Sequence, residues 1–138
     1  MIRRLVATDY PELYRLQQRA YRVEADLIGA TSLPPLLQTE AELFQEQPIG
    51  YVMHFDERLV GALTIEQETI TRLVVAPEHF RQGIAKQLLR HTLTKHRLHF
   101  VSTAADNLPA IALYHQFGFR QIDQVSLDAI VLVKLQRG

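Results

Sequence analysis

The sequence predicts one α/β domain, residues 1–138, built on a mixed and mostly antiparallel sheet. Three observations carry this prediction. Three strand-like runs, IGYVMHF, RLVGALTIEQ and TITRLVVA, follow one another through short polar junctions at Asp56-Glu57 and Gln67-Glu68, which reads as a meander. A helix-patterned segment separates the third run from a fourth, HFVSTAA, so those two strands should be parallel. The chain has 138 residues, 47% of them apolar, which suits a single core.

The elements can be justified in order. Met1 to Val6 reads as a short strand. Asp9 stands at a helix N-cap position, with Pro11 in the first turn and Glu12 three residues on. Leu13, Leu16, Ala20 and Val23 recur at helical spacing, so residues 10–24 should form an amphipathic helix. DLIGATSLPPLLQT, Asp26 to Thr39, carries Gly29 and Pro34-Pro35 and reads as a loop. A shorter helix fits Glu40 to Gln47, and the meander begins at Ile49. Pro77 ends its third strand. After Gly83 a helix is marked by Ala85, Leu88, Leu89, Thr92 and Leu93 on one face. The fourth strand occupies His99 to Ala105. Asp106, Asn107 and Pro109 announce another helix, striped by Ala110, Leu113, Tyr114 and Phe117 and closed by Gly118. FRQIDQVSL and AIVLVKLQ read as two final strands.

Charge and composition restrict the function. Fifteen basic residues balance fifteen acidic ones, so no basic footprint points to nucleic acid as a partner. The absence of cysteine removes disulfides, thiolate metal sites and a cysteine nucleophile. No run reaches the roughly 20 apolar residues of a membrane span, and MIRRLVATDY lacks a signal-peptide core, so a cytoplasmic location without membrane contact is expected. His91 and His96 are five apart, off a common helix face, and no metal site is expected among the six histidines.

The most chemically suggestive stretch is VVAPEHFRQGIAKQLLRHTL, Val74 to Leu93. A helix N-terminus leaves N–H groups unpaired and carries the positive end of the helix dipole. A glycine at its mouth lets an anion approach the backbone, and Arg81, Gln82 and Lys86 add donors beside Gly83, Ile84 and Ala85. The pattern alone fits an anion site or an ordinary helix start equally well. Neither G-x-x-x-x-G-K-[ST] nor the three-glycine dinucleotide fingerprint is present, which argues against an NTPase or a dehydrogenase.

A second segment, NLPAIALYHQFGFRQI, spaces Asn107, Ala110, Tyr114, Gly118 and Phe119 as N-x-x-A-x-x-x-Y-x-x-x-G-F. Together with Val75-x-Pro77 and the Gly83-Ile84-Ala85 turn, it resembles the GNAT superfamily of acyl-CoA-dependent N-acetyltransferases. The motifs cover about residues 70–120, and the order of elements fits over the whole chain. The resemblance implies a three-layer fold with about seven strands and helices on both faces of the sheet. It implies acetyl-CoA as co-substrate, its pyrophosphate cradled by the backbone from Arg81 to Lys86. The pantetheine arm would pair with the free edge of the fourth strand at Leu73, Val74 and Val75, and Asn107 and Tyr114 would face the coenzyme. One position departs from the family pattern: Phe80 stands where Gln or Arg is usual, with Arg81 and Gln82 following directly.

Acetyl transfer requires a neutral amine, a stabilised oxyanion and a proton for the departing thiolate. An alkyl amine of pKa near 10.4 is neutral in only about one molecule in 2,500 at pH 7, so a base has work to do. Tyr114 is the expected general acid. A phenol near 10 donating to a thiolate near 8.5 is uphill by roughly 2 kcal/mol, a small part of a catalytic barrier. A backbone N–H near Val75 can polarise the carbonyl. Glu68 and Glu66 are the expected base candidates, with Glu24, Tyr51 and His54 as outsiders. The resemblance implies that the acceptor is a primary amine, of a small molecule or a protein, and residues 24–40 with the second strand are expected to bind it. The apolar LIGATSLPPLL could equally serve packing or a homodimer contact. The alternative function is a non-catalytic acyl-CoA-binding or sensing module. A toxin acting on aminoacyl-tRNA is disfavoured by the neutral charge.

Overall fold

The computed structural model describes residues 1–31, 33–127 and 130–138. Ser32, inside the expected loop, and Asp128 and Ala129, the latter the expected start of the last strand, lie outside the described residues. The elements are β1 (Ile2–Arg4), α1 (Tyr10–Leu27), α2 (Pro34–Leu37), α3 (Glu40–Glu46), β2 (Ile49–Phe55), β3 (Arg58–Glu66) and β4 (Thr69–Val75). They continue with α4 (Ile84–Lys95), β5 (Phe100–Ala104), α5 (Leu108–Gln116), β6 (Phe119–Leu127) and β7 (Ile130–Arg137). All seven strands join one sheet in the order β1-β2-β3-β4-β5-β7-β6. Every neighbouring pair is antiparallel except β4–β5, as the sequence pattern predicts.

Two apolar layers sandwich the sheet. On one face, Leu13, Leu16 and Ala20 of α1 and Leu43 of α3 pack on Val52, Leu59, Ala62 and Val74. On the other, Ile84, Leu88 and Leu89 of α4 and Tyr114 of α5 pack on Met53, Val60, Leu63, Ile70, Phe119 and Leu135. Each fully buried leucine or isoleucine contributes about 1.5–3 kcal/mol of transfer free energy, which holds the short helices in place. Helix α4 lies unusually close to β3. A Cβ on Gly61 would come within 2.7 Å of Ile84 Cγ2 and 2.9 Å of Leu88 Cδ1.

Three local expectations change. Asp9 does not cap α1 with its side chain; a 3₁₀ turn at Ala7–Asp9 already leads into that helix. Its carboxylate turns back instead, accepting from Val6 N–H at 2.9 Å and from the two terminal guanidinium nitrogens of Arg3 at 2.8 Å. The Arg3 hydrogen bond holds the Asp9 carboxyl below its usual value, against the opposing effect of burial. Glu12 likewise leaves the helix start and accepts the Leu59 N–H at 2.7 Å, tying α1 to β3. Within the expected loop, Pro34 and Pro35 begin the single helical turn α2, because proline presets the φ of the first helical positions. Helix α3 is capped reciprocally: Glu42 N–H donates to Thr39 Oγ1 at 3.1 Å and Thr39 N–H to the Glu42 carboxylate at 2.8 Å.

Candidate active site

The sheet opens in its middle. Strands β4 and β5 pair only at Thr69–Phe100 and Ile70–Val101. On its other side β4 pairs with β3 through Val75, but the register slips between Thr64–Arg72 and Ile65–Ile70, leaving Thr71 as an extra residue. Such a bulge bends its strand and increases its twist. It also resets the faces: Ile70 contributes to the core beneath α4, whereas Val74 joins the core beneath α1 and Leu73 and Val75 pack back towards α4. The parting of β4 from β5 therefore begins at the bulge. Beyond it, Leu73, Val74 and Val75 have a strand partner on the β3 side only.

The free edge leads directly to the mouth of α4. Arg81 and Gly83 both adopt left-handed backbone conformations, with φ of 63° and 78°. A Cβ on Gly83 would meet only Gln87 Nε2, at 3.9 Å, so the space before the helix is open and the glycine serves the conformation. The helical ladder starts with Gln87 N–H donating to Gly83 O, at 2.9 Å. The N–H groups of Ile84, Ala85 and Lys86 precede it and face the turn. Arg81, Gln82 and Lys86 are exposed around them, while Phe80 is 42% exposed. The approach is braced from behind: Glu78 is ion-paired with Arg19 of α1, and His79 pairs with Gln82 at 3.1 Å and packs edge-on against Phe55. Donors, positive charge and access converge here, so this mouth fits a diphosphate.

Where two strands part, side chains from opposite faces of a sheet can meet. Tyr114 and Asn107 come from α5 on one face. Tyr21 and Glu24 come from α1 on the other, one turn apart on a common helix side. Asn107 caps α5, its Oδ1 accepting from Ala110 N–H at 3.3 Å, and its side chain also hydrogen-bonds Glu24. Burial raises the Glu24 carboxyl above its ordinary value, and the Asn107 hydrogen bond only partly opposes this. Burial also pushes the Tyr21 phenol up to about 12. Tyr114 is 5% exposed; burial raises its phenol further, with the neighbouring charges of Tyr21 and Glu24 adding to the effect. Tyr114 is therefore neutral and a hydrogen-bond donor at pH 7. Its proton transfer to a thiolate is uphill by more than the ~2 kcal/mol of two unperturbed groups.

A polar network supports the α1 side of the opening. Arg72, only 7% exposed, donates to Glu46 at 3.0 and 3.2 Å and to Thr64 Oγ1 at 3.0 Å. Thr64 Oγ1 in turn pairs with the hydroxyl of the bulge residue Thr71 at 2.8 Å. Gln38 links Glu46 to Gln17, both contacts being 2.8 Å. Burial pushes the Glu46 carboxyl up, but hydrogen bonds from Arg72 and Gln38 and the Arg72 charge bring it below its usual value.

The sequence-predicted residues thus fall into two groups. Leu73 to Val75 and Arg81 to Lys86 follow one another along the free edge of β4 into the mouth of α4, while Asn107 and Tyr114 of the α5 layer meet Glu24 and Tyr21 of α1. Glu66 and Glu68 lie at the β3–β4 hairpin, at the paired end of β4–β5; Glu68 is exposed, its carboxylate 3.2 Å from His99 Nε2. From Glu68 to Leu73 the strand advances about 16 Å. Tyr51 is turned under α4, its hydroxyl 2.9 Å from His96 Nε2, and His54 contacts the Asp56 carbonyl at 2.8 Å. Tyr21, Thr71 and Arg72 were not singled out from sequence. Tyr21 follows Gln17 by one turn and precedes Glu24 by another, the one pattern that could have found it.

The sequence matches the profile of the acetyltransferase (GNAT) family over residues 10–119. The chain belongs to that family. Its curated relatives include the [ribosomal protein bS18]-alanine N-acetyltransferase of Escherichia coli (strain K12), 26% identical over 85% of this chain and 78% of that one. The protein YqkA of Bacillus subtilis (strain 168) is 33% identical over 86% of this chain, which spans only 37% of that longer relative. The GNAT fold is also shared with solved structures. The ribosomal-protein-S18-alanine N-acetyltransferase of Escherichia coli superposes with a TM-score of 0.76 at 21% identity, covering 99% of this chain and 92% of that one. The yncA protein of Salmonella typhimurium, whose structure holds its cofactor acetyl-CoA, gives 0.75 at 16% identity, covering 99% and 91%.

Proposed function

We propose that this GNAT protein moves an acetyl group from acetyl-CoA to a primary amine, by direct attack in a ternary complex. One observation carries the reading: β4 loses β5 after two residue pairs, and its free edge runs into the unpaired N–H groups of α4. An extended, amide-bearing ligand ending in a diphosphate matches both features. Residues 81–86 hold the diphosphate through backbone N–H groups, with Arg81 and Lys86 supplying charge. Leu73 to Val75 offer strand-like hydrogen bonds to the pantetheine amides, and Asn107 lines the opposite wall. The thioester supplies an activated acyl carbon. A β4 N–H near Val75 polarises its carbonyl, and Tyr114 holds the proton for the departing sulfur.

A peptide α-amine suits the reading better than a lysine side chain. With a reference pKa of 7.7–8.0 instead of 10.4, its neutral fraction at pH 7 is about 300-fold larger. The bS18-alanine N-acetyltransferase relative, whose name specifies an alanine acceptor, points the same way.

The test is calorimetric titration with acetyl-CoA of the wild type and of Gly83→Trp, followed by release of free coenzyme A with a panel of amines and an alanine-initiated peptide. Binding that is lost in the variant, with turnover in the wild type, is expected. Binding without turnover on any amine would favour a non-catalytic acyl-CoA sensor, to which the exposed Phe80 lends some support. No binding would overturn both readings.

A further inference from the structure

We propose that Glu24 is the group that receives the acceptor's ammonium and takes its proton, acting through the opening between β4 and β5. This rests on the acetyl-transfer reading and adds a residue from the helix layer on the far side of the sheet from Tyr114. Helix α1 and helix α5 belong to opposite layers, separated elsewhere by paired strands. Glu24 nevertheless hydrogen-bonds Asn107, the N-cap of α5, and lies close enough to Tyr114 to act on its charge. That contact exists because the sheet is interrupted there.

The surroundings suit a proton acceptor. Among the described residues no ion pair engages Glu24, whereas Arg72 lies 3.0 Å from the Glu46 carboxylate. The groups facing it are Tyr21 of its own helix, Tyr114 and Asn107 of α5, with Arg72 and Glu46 standing behind Tyr21. Whereas Glu46 is engaged by Arg72, Glu24 supplies, beside two phenols and one amide, the carboxylate that reaches the α5 side of the opening. Its partial burial disfavours the charged form, and an arriving ammonium would supply the missing counter-charge.

The proton balance closes. The ammonium gives one proton to Glu24, which passes it to solvent, and the freed nitrogen pair forms the N–C bond. When the C–S bond breaks, the sulfur takes a proton from Tyr114, and Tyr114 recovers one from the nitrogen that has just been acylated. The net products are an amide, a thiol and one released proton.

The test compares Glu24→Gln with the wild type in three measurements. Glutamine keeps an oxygen for the Asn107 amide, so acetyl-CoA binding by calorimetry should stay within about threefold. Chemical unfolding gives a readout independent of catalysis: removing a carboxylate that burial disfavours should make the variant more stable at pH 7, with the gain vanishing by about pH 4. Turnover with the amine panel should fall about 100-fold at pH 6.5 and recover about tenfold per pH unit, as solvent deprotonates the amine instead. A purely structural Glu24 would lose little activity in the glutamine variant, and none of it in a pH-dependent manner. Wild-type turnover that Glu24→Gln retains at pH 6.5 overturns the inference alone. Absence of turnover in the wild type with every amine overturns the acetyl-transfer reading and the inference with it.

Discussion

Gly61→Ala tests how firmly the anion-binding mouth is seated on the sheet. The added methyl would lie 2.7 Å from Ile84 Cγ2 and 2.9 Å from Leu88 Cδ1, against an ordinary carbon–carbon contact of about 3.5–4.0 Å. Both neighbours are buried, at 2% and 0% exposure, so they have no solvent to swing into. Either α4 retreats by about 1 Å or two side chains leave their rotamers, at a cost of about 1–3 kcal/mol. Replacing a strand glycine returns about 0.5–1 kcal/mol. The net loss centres on about 1 kcal/mol and reaches at most about 2.5 kcal/mol, so the folding equilibrium should shift roughly fivefold. Ile84 is also the first residue of α4, so the same retreat displaces the N–H groups of the cradle, and coenzyme A affinity should fall several-fold. Urea unfolding with an unchanged slope and calorimetric titration read the two effects. Gly29→Ala is the control: nothing lies within 4 Å, and its φ of +72° imposes only a local cost of about 1–2 kcal/mol without affecting affinity. If Gly61→Ala kept both wild-type stability and wild-type affinity, the tight seating of α4 on β3 would be refuted.

Arg72→Met should cost about 2 kcal/mol in urea unfolding, less than a fully buried pair because Glu46 retains 33% side-chain exposure; an unchanged midpoint would remove the network's structural role. At high pH, Tyr21 and Tyr114 contribute stability that is fully present below their unfolded value near 10 and is lost as pH rises through their raised folded values. The melting temperature should therefore fall more steeply above pH 10 in the wild type than in Tyr114→Phe, and parallel curves would contradict the burial of Tyr114. Asp9 behaves oppositely, its folded value being depressed by Arg3: its stabilisation is present above about pH 4 and lost as pH falls through the folded value. Asp9→Asn should cost up to about 1 kcal/mol at pH 7, with the deficit shrinking as pH falls below about 4.

The sheet and its helices were legible because each signal was local. Alternating runs with polar pairs between them mark the meander, and the Gly83 turn and the Asn107-to-Phe119 spacing lie within short windows. What escaped depends on distant partners or on irregularity. Nothing in TITRLVVA announces that Thr71 is the extra residue, since a bulge there reflects twist and pairing with β3, not side-chain pattern. Arg72 reads as the polar member of an alternating strand; its burial follows from Glu46 and Gln38, more than 25 positions away in sequence. Glu24 could be named only as an outsider because Asn107, its partner, arrives through a break in the sheet. Asp9 misled because an N-cap residue and a residue that folds back onto Arg3 look alike in sequence.

The two residue pairs joining β4 to β5 divide the sheet into β1–β2–β3–β4 and β5–β7–β6. Each part closes its own hydrogen-bond ladders, so cooperativity between them rests more on the shared apolar layer under α4 and α5 than on the few backbone hydrogen bonds that cross from β4 to β5. Amide hydrogens on the two parts should then exchange as separate opening units, with β5–β7–β6 the less protected. A ligand lying along β4 and against α5 would act as a splint between them, drawing the two exchange rates together. In such a protein the substrate would be part of what makes the fold open and close as one.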